Sequence, residues 1–252
     1  MSLVSTPALV LSTLKYSESS KIVRLATRDL GVQSAIAKGA RRPRSRFGAA
    51  LQVLSEGHAQ LYVRDHRELH TLAAFDLARV PVRLAEDLER YAAASVLAEL
   101  MARFAPPEAH PESFEMLKTG LAALESAEGE TVRPLGIRVA WEMVSVLGFG
   151  PALDACVRDG APVPPGAVAF SAPEGGALCA ACAGPTGGIR LPADARADLQ
   201  QLLDAAAPLP RLDPRNAAAH ERLLGRYVRW HLAEGAELPA LEFWTRRPWR
   251  HG

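Results

Sequence analysis

Cysteine, lysine and long apolar runs are all scarce in this chain. Its 252 residues include three cysteines, too few for a disulfide scaffold, and an odd number leaves one unpaired. In a reducing compartment, clustered cysteines are better explained by a metal than by a bridge. No apolar run approaches the roughly 18 residues that cross a bilayer. The opening segment, MSLVSTPALVLSTLKYSESS, lacks a basic stretch before its short apolar run, which argues against a signal peptide and for a cytoplasmic protein. Only four lysines occur, so arginine carries most of the positive charge. With abundant alanine and proline, that bias points to a GC-rich genome and says little about function.

The remaining composition is that of a globular chain, with 48% hydrophobic and 23% charged residues. The formal net charge is +1, but it is unevenly spread. Residues 1–80 carry 12 Lys/Arg against 6 Asp/Glu, and residues 81–160 carry 7 against 13. A basic front beside an acidic middle implies a polyanionic partner for the front.

The first eighty residues read as β-structure. ALVLSTLKY (8–16), KIVRLATR (21–28), GVQSAIAK (31–38), LQVLS (51–55), HAQLYVRD (58–65) and ELHTLAAF (68–75) are short, partly alternating segments separated by turn residues. They predict a small closed barrel of five or six strands. From residue 83 the period becomes helical. Leu97, Leu100, Met101 and Phe104 follow the i, i+3, i+4, i+7 rule, and further helices are expected over 112–126, 132–149, 194–206 and 214–232. The segment 132–149 is apolar all round and so central. Asp213 is the expected N-cap of the last helix, with Pro214 at its first position.

The segment AKGARRPRSRFG (37–48) places Lys38, Arg41, Arg42, Arg44 and Arg46 within nine positions, without an acid. Gly39, Pro43 and Gly48 break any helix, so these cations face solvent or a ligand. A cation that neutralises a phosphate releases counterions, giving salt-sensitive and sequence-tolerant affinity. Arginine also pairs bidentately with phosphate oxygens. Lys15, Lys21 and Arg24 extend the same surface. Stacking partners are few, only Tyr16, Phe47 and Tyr62, so backbone contact outweighs base stacking. His58, His66 and His70 read as surface residues near the strand turns.

Between the helices, residues 152–190 hold every cysteine in a stretch rich in Pro, Gly and Ala, too long to stay compact without a staple. Cys156-x2-Asp159 and Cys179-x2-Cys182 form a zinc-ribbon frame with aspartate at one of its four places. Two residues between donors let one tight turn offer both to a tetrahedral ion. Aspartate ligates zinc through oxygen but is an uncommon partner for three cysteines. The spacing therefore fits one structural zinc on Cys156, Asp159, Cys179 and Cys182, a remnant without metal, an introduced substitution, or three cysteines that bind nothing.

The order of these parts resembles the bacterial RecO family of DNA repair and recombination proteins along essentially the full length. The resemblance rests on AKGARR followed by LQ, on Tyr91, Glu99, Leu100 and Phe104, on Gly148, Phe149, Pro151, Leu153 and Cys156, on the CxxC, and on YVRWHLAEG (227–235). It implies an α+β multidomain protein: an oligonucleotide-binding (OB) barrel of five strands over 1–80, an α-helical domain over 81–150 and 191–252, and a zinc-finger-like insert over 151–190. It implies binding of single- and double-stranded DNA, annealing of complementary strands, and cooperation with RecR in loading RecA onto strands coated by single-strand-DNA-binding protein. The expected address is cytoplasmic and nucleoid-associated, and no catalytic residue is expected. Lys38, Arg41 and Arg42 match the family's basic phrase, while Arg44 and Arg46 are added on charge alone. Asp159 departs from the family's cysteine quartet.

Two more basic surfaces stand out. The resemblance implies that the helical domain receives the C-terminal tail of single-strand-DNA-binding protein, and Arg222, Arg226 and Arg229 on the last helix are its expected receptor. Arg246, Arg247 and Arg250 with Trp244 and Trp249 form a second candidate, or else a frayed terminus with one tryptophan folded back. An RNA- or ribosome-associated barrel protein, and a zinc-stapled enzyme, are the competing readings.

Overall fold

The computed structural model describes residues 2–64, 67–106, 108–184, 188–233 and 236–250. The chain divides into two compact units, residues 1–87 with 97–125, and residues 88–96 with 126–252.

In the first unit five strands close into an OB-like barrel: β1 (Ser2–Lys15), β2 (Lys21–Thr27), β3 (Gly31–Ala37), β4 (Glu56–Val63) and β5 (Leu69–Arg79). The ring order is β1-β2-β3-β5-β4. Every neighbour is antiparallel except β3 and β5, whose short parallel pairing of Ser34–Ile36 with Leu69–Thr71 closes the ring. Alternation sends Ala8, Val10, Val23, Leu25, Ala35, Ala37, Ala59, Leu61, Leu72 and Phe75 inward. Four of these are alanines, and the small strand residues leave interior room that the strands do not fill. Phe47, Ala50 and Leu51, from the long β3–β4 connection, are buried in the same core, and Ala40 packs against it.

Two expectations change here. LQVLS (51–55) is not a strand but a run of turns. Its apolar spacing serves the plug just described, and Leu54 takes a left-handed φ of 71° that no strand allows. Its end hydrogen-bonds to β1, where Leu54 N–H donates to the Val10 carbonyl at 2.7 Å and Val10 N–H to that of Ser55 at 3.0 Å, at a bulge in β1. Phe47, expected to be free for stacking, is 2% exposed.

Helices α1 (Val82–Ala85), α2 (Leu88–Phe104) and α3 (Pro111–Ser126) follow. Ion pairs of both senses join barrel residues to α3. Arg28 pairs with Glu115 at 3.1 Å, Arg79 pairs with Glu125, and Lys118 reaches back to Glu56 at 2.6 Å.

The second unit is built on α4 (Val132–Val144), continued by a π-turn over Ser145–Phe149. As its all-round apolarity predicts, α4 is central and buries Trp141 fully. It packs against α6 (Ala193–Leu203) and α7 (Pro214–His231). Asp213 caps α7 as expected, accepting from Arg215 and Asn216 N–H at 2.8 and 2.9 Å. Helix α8 (Pro239–Arg246) follows, and then a 3-10 turn over Pro248–Arg250. One tryptophan is folded back, since Trp244 is buried, and Arg247 belongs to no open basic surface, because it is buried among carboxylates. Arg246 pairs with Glu242 at 3.6 Å; the Arg250 side chain lies outside the described residues. No described helix is long and apolar enough to cross a membrane.

The insert is stapled by a small antiparallel sheet in the order β7-β6-β8, made of β6 (Val168–Ser171), β7 (Gly176–Leu178) and β8 (Ile189–Leu191), with α5 (Ala180–Ala183) between β7 and β8. Arg196 of α6, itself buried, donates to the carbonyls of Leu153 at 2.8 Å, Val163 at 3.2 Å and Pro164 at 2.5 Å. Tyr227 OH donates to the Gly175 carbonyl at 3.4 Å, and His231 Nε2 meets that of Ala172 at 2.5 Å. A Pro/Gly-rich stretch satisfies few of its own carbonyls, so these side chains do it instead.

Candidate functional site

The barrel gathers most of the predicted cations at one end. Lys15 closes β1 opposite Lys21, which opens β2, and Lys21 pairs in turn with Ala37, next to Lys38. The basic loop leaves from this point as a succession of tight turns, with bonds from Arg42 N–H to Gly39, Ser45 to Arg42, Gly48 to Ser45 and Ala50 to Phe47. Lys38, Arg41, Arg42, Arg44 and Arg46 are exposed. Their surroundings differ. Arg41 braces the loop against the β1–β2 turn: its backbone N–H donates to the Ser19 carbonyl, and its guanidinium donates to those of Ser17 and Glu18 at 2.6 and 2.9 Å. Arg46 lies 5.0 Å over the Phe47 ring. Among the described residues no carboxylate pairs with Lys38, Arg42, Arg44 or Arg46. Arg24 is exposed on β2, but its guanidinium donates to the Ala102 carbonyl at 2.6 Å, so it stands apart from the loop cations.

Tyr16 and Tyr62 are exposed and remain available for stacking. His58 is exposed as expected, whereas His70 is buried on β5 and accepts from Arg64 N–H at 3.4 Å. Burial pushes its pKa down. His66 lies outside the described residues. Arg64 and Arg67, which the sequence reading passed over, line a cleft of about 490 Å³ with Lys38 and Glu68. Their alternation with acids hid them from a search for charge runs.

In the insert, the donor atoms of Cys156, Asp159, Cys179 and Cys182 all lie within 4.8 Å of one another. Cys156 N–H donates to the Ala161 carbonyl and Gly160 N–H to that of Cys156, both at 2.8 Å, and Gly160 adopts φ +72°. This knuckle turns Cys156 and Asp159 toward the second pair. Cys179 caps α5, its sulfur accepting from Cys182 N–H at 3.4 Å. Asp159 Oδ2 accepts from the thiols of Cys182 and Cys179 at 3.1 and 3.4 Å. Its other oxygen, Oδ1, accepts from Ala161 N–H at 3.0 Å.

That last bond, followed by those from the cysteine thiols, holds the Asp159 carboxyl far below the usual range. The Cys182 thiol is pushed up to about 12, first by its bond to Asp159 and then by Cys179. Three thiols and a carboxylate thus converge on one point, where a divalent cation would favour the Cys182 thiolate that Asp159 and Cys179 disfavour. Zinc bonds of roughly 2.0 Å to oxygen and 2.3 Å to sulfur place tetrahedral O and S neighbours about 3.5 Å apart. The Asp159 spacings are close to that, so the donor set fits such an ion.

On α7 Leu223, Leu224, Tyr227 and Val228 form a buried apolar stripe, with His231 half-buried. Arg222, Arg226 and Arg229 accordingly face solvent, and Arg215 continues their row. Trp230, 62% exposed, stands one turn from Arg226. The sequence reading missed both Arg215 and Trp230. A seven-residue step from Arg222 back to Arg215 was the available signal.

A closed OB-like barrel with an open cationic loop, helices, and an embedded four-donor knuckle define a distinct class of chain. The family models described as Recombination protein O N terminal and Recombination protein O C terminal match residues 1–80 and 85–238. The chain belongs to the RecO family. A DNA repair protein RecO of Anaeromyxobacter sp. (strain K) is 38% identical over 251 residues, 96% of each chain. That of Symbiobacterium thermophilum is 34% identical over 234 residues, covering 90% of this chain and 92% of the relative. The Chlorobium limicola protein is 30% identical over 247 residues, covering 91% and 93%.

Proposed function

We propose that this chain is a DNA repair and recombination mediator that acts without a catalytic residue, binding single- and double-stranded DNA and annealing complementary strands. One observation carries this reading: a braced loop presents Lys38, Arg42, Arg44 and Arg46 to solvent with no carboxylate paired to them among the described residues. Lys15 and Lys21 widen the surface, Arg41 holds the loop in place, and Arg24 stands at its margin. Two strands repel through their phosphates. A cationic surface that holds both lowers that repulsion and raises their local concentration.

RecR and, through it, RecA are the partners this role requires, and the C-terminal tail of single-strand-DNA-binding protein is the acidic ligand assigned to Arg222, Arg226 and Arg229. A single zinc ion on Cys156, Asp159, Cys179 and Cys182 serves as a structural cross-link of the insert. The protein works in the cytoplasm, associated with the nucleoid.

Annealing of complementary oligonucleotides by the purified protein, with and without single-strand-DNA-binding protein, is the direct test. Accelerated annealing, abolished at high salt, is the expected result. Preference for structured RNA, with no effect on complementary DNA, would favour an RNA- or ribosome-associated protein instead.

A further inference from the structure

Resting on the zinc assignment above, we infer that Asp159 binds the ion through one oxygen only, and that this oxygen is the releasable corner of an otherwise three-thiolate site. Three observations lead there. The two carboxylate oxygens have separate tasks: Oδ2 faces the Cys179 and Cys182 sulfurs at 3.4 and 3.1 Å, while Oδ1 accepts from Ala161 N–H at 3.0 Å. An oxygen already engaged by a backbone amide is turned away from the ion, so the carboxylate is set for monodentate ligation and its orientation is fixed from outside, as outer partners fix metal ligands elsewhere.

The four donors are also unequally placed. Cys156 is buried, Cys179 and Cys182 are half-buried, and Asp159 is exposed. Water therefore reaches the ion from the carboxylate side. Finally, an oxygen ligand is harder than a thiolate and suits a thiophilic ion less well. Aspartate retains the charge of the thiolate it replaces, so the net charge of the site is unchanged while bond strength is not. The site holds its ion by three sulfurs and exchanges it through the fourth position.

Cobalt(II) titration of the full chain reads this directly, because charge-transfer intensity follows the number of thiolates and the ligand-field bands follow the donor set. Wild type should bind one ion with three-thiolate intensity. D159C should gain about one third in charge-transfer intensity from the fourth sulfur and release cobalt to a chelator more slowly. D159A should keep three-thiolate intensity but change its ligand-field bands. It should also lose affinity by at least the roughly 10- to 100-fold that removal of a mere outer partner costs. Ligand-field bands and release rates of D159A equal to wild type would remove Asp159 from the coordination sphere and overturn the inference while leaving a metal site. Absence of any cobalt binding by wild type would instead overturn the zinc assignment and the inference with it.

Discussion

Arg247 Nη1 donates to Glu221 Oε1 at 2.6 Å across 26 residues of sequence, joining the end of α8 to the middle of α7. Glu221 is wholly buried and also receives a two-pronged contact from Arg133 of α4, at 2.8 and 2.7 Å. Arg247 reaches Glu89 as well, and it holds a left-handed φ of 49° that its partners must stabilise. Replacing Glu221 with glutamine leaves two guanidinium groups without their common anion. E221Q should lose about 3–5 kcal/mol of stability, read as a lowered urea midpoint. A midpoint equal to wild type would show that the network contributes nothing.

Neutralising Lys38, Arg42, Arg44 and Arg46 together should weaken single-strand binding and flatten its salt dependence, by about 0.7 in log–log slope for each phosphate left without its cation. Because these side chains are exposed, the melting temperature should hardly move, each change costing within about 0.5 kcal/mol. Fluorescence anisotropy at several salt concentrations checks both parts, with the melting curve as control. Affinity and slope equal to wild type would exclude the loop as the contact surface.

Phe47 makes the opposite prediction. It is the loop's plug in the barrel, so F47A should cost about 3–5 kcal/mol and lower the melting temperature. A variant as stable as wild type would mean that the aromatic ring does not fill the interior.

His220 gives the protein a pH dependence. It is 2% exposed, and burial pushes its pKa down from 6.5 to about 4, opposed by the charge of Asp194. Between those values the unfolded chain takes up a proton that the folded chain refuses. Stability is therefore complete above pH 6.5, falls as pH drops through this window, and levels off below about 4. The loss is on the order of 3 kcal/mol. Denaturant melts from pH 7 to pH 4 should show this slope, and H220Q should flatten it; an unchanged slope in that variant would assign the effect to other groups.

Features written in local spacing were legible in the sequence. The strand periods, the Asp213 cap and each of the two donor pairs of the knuckle lie within a few residues, and all but LQVLS are where their spacing placed them. Features that depend on distant partners were not. LQVLS has the apolar spacing of a strand, but the alanine-lined barrel needed Leu51 as filling, and the left-handed turn at Leu54 leaves no trace in composition. The RRPW tail looked like loose charge because Glu221 and Glu89 are remote in sequence. His70, by contrast, was legible, since it stands two residues before inward-facing Leu72 on the same face of β5.

The anchoring of the arginine segment has a thermodynamic consequence. With Phe47, Ala50 and Leu51 locked into the barrel and Arg41 tied to the neighbouring turn, the spacing of the cations is set before any polyanion arrives. Little backbone freedom on the protein side is left to lose on association. Melting of the barrel would scatter the charges at a stroke, so the grip on a polyanion and the fold of the barrel should disappear at one temperature.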